Sequence, residues 1–152
     1  MKDLKTSGVQ PFIFSKPSPY ILVEAVHDTL KYFDHDIIMK GEHAFLKRQE
    51  ISIDNNSDLT PEKKQYYANG LLITGLLEQL SNEEYFKVEQ QFEKLLETIT
   101  NLIQRRLEAQ NLNSSHCAFI HKDDHGDIVI GFMKKHSWKE YNDETGYLKL
   151  CS

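Results

Sequence analysis

Apolar positions along the 152-residue chain change period several times, and each change marks an element. The plainest run is Tyr85, Val88, Phe92, Leu95, Ile99 and Leu102, spaced 3, 4, 3, 4 and 3 residues apart. That is the a/d seam of a heptad repeat. Leu96 and Ile103 widen the stripe. Ser81-Asn82-Glu83-Glu84 precedes it as a capping box, with Ser81 at N-cap and Glu84 at N3. The pattern predicts a helix that ends near Gln110-Asn111. About 28 residues at 1.5 Å each span roughly 42 Å. A compact domain of this length is roughly 38 Å across, so the helix crosses the domain or protrudes.

Upstream, Ser18-Pro19 is a helix-start pair, with Ser as N-cap and Pro at the first helical position. Leu22, Val26, Leu30 and Phe33 follow at helical spacing, which predicts a helix over 19–33. Before it, 1–17 reads as an extended arm with an apolar patch at Pro11-Phe12-Ile13-Phe14, and 18–152 reads as one α+β domain. Ile37-Ile38-Met39 looks like a strand and Lys40-Gly41-Glu42 like a turn. Residues 43–49 fit either strand or a helical turn, strand better, and Glu50 to Asp54 alternates through Ile51 and Ile53 as a half-buried strand. Asn55-Asn56-Ser57-Asp58 is a loop. Thr60-Pro61-Glu62 then starts a helix expected to reach about Leu80. Its second half, Gly70 to Leu77, is apolar nearly all round, as in a helix buried on most sides. Joined by one loop to the heptad helix, it would form an antiparallel helical hairpin.

After Asn113-Ser114-Ser115 the period falls to two. His116–Lys122 and Asp127–Met133 flank Asp123-Asp124-His125-Gly126 as a β-hairpin, and Gly146 to Cys151 allows a last strand. With a four-residue loop, one face carries Cys117, Phe119, His121, Ile128, Ile130 and Phe132, and the other His116, Ala118, Ile120, Val129 and Met133. Both faces are mainly apolar, which predicts cover on both sides. The order of elements gives an α+β fold: N-terminal helix, β-hairpin, long antiparallel helical hairpin, C-terminal antiparallel β-hairpin and terminal strand.

Composition narrows the function class. The chain is 39% hydrophobic and 27% charged, which suits a folded globule rather than a disordered segment. A formal charge of −5 argues against general nucleic-acid binding, even though Lys134-Lys135-His136-Ser137-Trp138-Lys139 interleaves bases and an aromatic ring. Gly70 to Leu77, the longest nearly apolar run, is far too short to span a membrane. The N-terminal MKDLKTSGVQ has no apolar core of a secretory signal, and Cys117 and Cys151 are too few for a disulfide framework. A cytoplasmic protein is expected, with signal-independent export equally compatible.

The candidate chemistry is sparse. There is no Gly-rich phosphate loop and no Gly-x-Ser-x-Gly elbow. His116, His121, Asp123, Asp124, His125 and Asp127 are of the types that ligate metals or move protons. However, His116 and His121 point to opposite faces of one strand, and Asp123 and Asp124 suit a turn. Phe119 to Ile130 resembles the His-containing hairpin of HUH relaxases and plasmid replication nucleases, where histidines clustered on one strand ligate metal. Here the second strand, Ile128-Val129-Ile130-Gly131-Phe132, has no histidine, and no function is carried across.

Small size, acidic charge and element order are similar to those of type III secretion chaperones and some toxin-immunity proteins. Two expectations of different class follow. The first is a non-enzymatic module, chaperone, immunity protein or regulatory adaptor, that needs no cofactor and engages a polypeptide or its own copy. Its contacts would be Phe12 and Phe14 of the arm and Phe92, Leu95, Ile99 and Leu102 of the long helix, with Leu96 and Ile103 as exposed neighbours. The alternative is a small metal-dependent enzyme acting on a phosphate ester through His121, His125 and Asp127. A small-ligand pocket between hairpin and helices is a third possibility.

Overall fold

The computed structural model describes residues 19–47, 58–73, 82–122, 127–137 and 147–150. It is a mixed structure of helices and antiparallel strands, as the period changes require. Helix α1 spans Pro19–Asp34, and strands β1 (Ile37–Lys40) and β2 (His43–Leu46) follow as a two-stranded sheet. The turn between them is two residues long. Gly41 takes its first position at φ 61°, the left-handed backbone that such tight turns need. The expected strand at Glu50–Asp54 and the arm at 1–17 lie outside the described residues.

Helix α2 covers Pro61–Asn69, with Pro61 in the first turn and the Thr60 hydroxyl accepting from Lys63 N–H at 3.2 Å. It stops eleven residues short of the expected Leu80. Gly70 closes the last turn through its N–H to Tyr66 O (2.9 Å) and then turns extended. Leu71–Leu72 becomes strand β3, paired antiparallel with the hairpin, Leu71 opposite Ile130 and Leu72 opposite Val129. A short apolar run fits a buried strand as well as a buried helix, and here strand pairing decides. Since β3 stands between α2 and the long helix, the two are not arms of a helical hairpin.

The long helix, α3, is unbroken over Asn82–Ala109, the 28 residues that its pattern demands. It ends as a Schellman motif. Asn111 sits at φ 57°, Leu112 N–H donates to Leu107 O at 2.8 Å, and Asn111 N–H donates to Glu108 O at 3.0 Å. Leu112 packs on the core beside Leu107, the apolar contact that accompanies such ends.

Strands β4 (His116–Lys122) and β5 (Ile128–Lys134) form the predicted hairpin, and β6 (Tyr147–Leu150) pairs with β4. The four-stranded sheet runs β3-β5-β4-β6. Lys122 lies opposite Ile128, so the connection is one residue longer than a four-residue loop. A one-residue slip exchanges the faces of one strand relative to the other. Ala118 and Ile120 therefore share a face with Ile128, Ile130 and Phe132, and Phe119 shares one with Val129 and Met133. This corrects the face assignment. The expectation that both faces are covered holds: α3 covers the first through Leu96, Ile99, Ile103 and Leu107, and Tyr66 of α2 packs on the second.

Candidate functional site

Residues on α3 divide cleanly. Leu96, Ile99, Ile103 and Leu107 recur every three or four residues and are buried against the sheet. Phe92 is half-buried on the same core. Leu95 and Leu102, one heptad apart, remain 49% and 46% exposed. Leu96 and Ile103 are thus core residues rather than the exposed neighbours of the seam. The reason is geometric: the face turned to the sheet is centred on 96, 99, 103 and 107, about 100° from Leu95 and Leu102.

Helix α1 repeats this division. Tyr32 enters the core and Phe33 packs on it, whereas Val23, Val26 and Leu30, at spacings of 3 and 4, are 68%, 59% and 65% exposed. They form a second aliphatic stripe on one face of a helix. Arg106 of α3 donates to the carbonyls of Tyr32 and His35, and so caps the C-terminal end of α1 as well as suiting the end of its own helix. Phe12 and Phe14 lie outside the described residues.

Helix α2 joins the two sheets through side-chain amides. Gln65 and Asn69, one turn apart and fully buried, stand where β2 and β5 face each other without strand pairing. Asn69 Oδ1 accepts from Leu46 N–H (2.8 Å), and its Nδ2 donates to Ala44 O (2.9 Å) and Phe132 O (3.1 Å). Gln65 Nε2 donates to Ala44 O (3.0 Å), and its Oε1 accepts from Lys134 N–H (3.0 Å). The two amides act as a substitute strand. Gly131 makes the close approach feasible, because a Cβ there would stand 2.6 Å from Asn69 O.

His116 completes this junction. Its Nε2 accepts from Ala44 N–H at 3.1 Å and its Nδ1 lies 2.8 Å from Ser115 Oγ. A backbone N–H can only donate, so the ring is neutral with its proton on Nδ1. Burial, then the nearby charges of His43 and Lys134, push its pKa down to about 4.

On the α2 side of the sheet, His121 is buried with Nδ1 2.7 Å from Tyr66 Oη, and Tyr66 stacks on Phe119. Asp127 is half-buried just before β5, and His125 lies outside the described residues. Among the described residues no three His, Cys, Asp or Glu side chains come together in a way that could hold a metal ion. Among them, too, no helix is long and apolar enough to cross a membrane. Cys117 is buried, the core thiol that its strand position suggests. The Lys134 end of the basic patch is tied to Glu42 at 2.7 Å.

Sequence reasoning missed Gln65, Asn69 and His116 as a unit. Amide side chains are expected at the surface, and only long-range pairing places two of them inside. No family model, no curated protein and no solved structure matches the chain.

Proposed function

We propose that the chain is a non-enzymatic protein-binding module, of the chaperone, immunity or adaptor kind, that docks an apolar surface of a polypeptide, with its own copy as the first partner to test. The observation that carries this reading is the aliphatic stripe left outside the core. Leu95 and Leu102 on α3 are nearly half exposed, and Val23, Val26 and Leu30 on α1 more than half, all at helical spacing. Single exposed aliphatic residues are ordinary, but two repeating stripes are the pattern of a helix seam. The tested contacts are therefore Leu95 and Leu102 on α3, with Phe92 at their margin. Polar substitution of Leu96 or Ile103 would strike the core instead and says nothing about docking.

Sedimentation equilibrium of the full chain tests the reading. A dimer that dissociates in the Leu95→Asp/Leu102→Asp variant, with thermal unfolding unchanged at dilutions where the wild type is also monomeric, is the expected result. A monomer at every concentration, with identical behaviour in the variant, would overturn self-docking. The phosphate-esterase alternative gains no geometric support among the described residues, since His121 Nδ1 is already engaged by Tyr66.

A further inference from the structure

We propose that His116 is an acid-sensitive latch: protonation of its Nε2 breaks the bond from the Ala44 amide and releases the β1–β2 hairpin from the main sheet, while the sheet covered by α3 stays folded. The observation behind this is the place of the bond. Among the described residues, β1 and β2 share no strand pairing with the larger sheet. Among the described residues, the hairpin's polar ties there are the His116 bond, the Gln65 and Asn69 amides and the Lys134–Glu42 ion pair, beside the apolar packing of Ala44 and Leu46 in the core. Among the described side chains that hydrogen-bond to the β2 backbone, His116 is the one that can take up a proton in the mildly acidic range.

Its surroundings oppose a second positive charge. His43 of β2 and Lys134 of β5 are the charged groups that act on the ring. Glu62 of α2 stands 3.4 Å from His43, and Glu42 of the β1–β2 turn stands 2.7 Å from Lys134, so each nearby carboxylate already faces another base. Ser115, the remaining neighbour, is uncharged and takes the Nδ1 proton in a hydrogen bond. A protonated His116 has no acceptor for Nε2–H while Ala44 N–H points at it. Release leaves the imidazolium in water and exposes Ala44, Phe45 and Leu46, which are buried in the closed form.

The direction with pH follows from the lowered pKa. Below its ordinary value of 6.5 the released form takes up a proton that the closed form refuses until about pH 4. The closed form is therefore fully favoured above pH 6.5 and loses ground as pH falls towards 4. Between pH 7.5 and pH 5 these two pKa values shift the closed-to-released equilibrium by roughly thirtyfold.

Amide hydrogen exchange on the full chain, corrected for the intrinsic pH dependence, reads this shift. The protection factors of Ala44 and Leu46 are expected to fall by roughly thirtyfold from pH 7.5 to pH 5, while those of Ala118 and Ile130 hold. In His116→Gln, which keeps an acceptor but cannot titrate, the fall should vanish. Equal loss at the hairpin and at Ala118, no loss at Ala44, or an undiminished loss in His116→Gln would each overturn the latch. Should that variant not fold, the ring resonances of wild-type His116 decide: protonation near pH 6.5 with Ala44 still protected contradicts it.

Discussion

Asn69 uses its side-chain oxygen and both donors of its amide on the backbone of two different strands. Its chemistry is fixed by its partners, because one is an N–H and two are carbonyls. Asn69→Asp keeps the acceptor for Leu46 N–H but turns an oxygen towards Ala44 O and Phe132 O. Unpaired or repelled buried groups cost ~1–3 kcal/mol each. Urea denaturation of Asn69→Asp should therefore show a loss of at least ~2 kcal/mol, with Asn69→Ala close behind. Gln104 plays a similar part on α3, accepting from Ala118 N–H at 2.9 Å just beyond the residues that β6 pairs. None of these three amides stood out in the sequence. Gln65 lies in Pro-Glu-Lys-Lys-Gln, which reads as a solvated helix start, and nothing local says that this side chain meets a strand 69 residues away. His116 was visible as a histidine on a strand, but its neutral, bridging state depends on β2.

At the scale of elements, periodicity worked where the pattern was long. Helix α3 has the 28 residues and the stop at Asn111 that the heptad run implies, and α1 begins at its proline. Short segments were less legible. Gly70 to Ile73 leaves the helix because Leu71 and Leu72 complete the edge of β5, a long-range pairing that no local spacing encodes. The register of β4 with β5 differed by one residue because loop length, rather than apolar alternation, sets it when both faces are buried. Gly131 shows how tightly α2 is held there. A methyl group at Gly131 would meet Asn69 O at 2.6 Å and Phe119 Cζ at 3.1 Å. Gly131→Ala should cost ~1–3 kcal/mol by overpacking, seen as a lowered melting temperature. The two sides of α3 give a sharper contrast. Leu96→Asp/Ile103→Asp places carboxylates in the core and should abolish cooperative unfolding. Leu95→Asp/Leu102→Asp should change the stability of the monomer, compared at dilutions where the wild type is also monomeric, by no more than ~1 kcal/mol in total. Circular-dichroism melts of both pairs separate these outcomes.

Across the whole molecule, the four-stranded sheet is covered by α3 on one face and met by α2 on the other, and α2 also holds the small hairpin to its edge. That arrangement satisfies the inner stripe of α3 within one chain and leaves the outer one, with the stripe on α1, facing solvent. The heptad pattern therefore combined two surfaces: an inward face that folds the protein and an outward edge that, in the proposed reading, would meet a partner. Methyl spectra of the selectively labelled full chain over a dilution series test this division most directly. The methyl signals of Val23, Val26, Leu30, Leu95 and Leu102 are expected to move with concentration, while those of Leu96 and Ile103 stay fixed. A spectrum in which all seven are unchanged at every concentration, or in which Leu96 and Ile103 move instead, would contradict it.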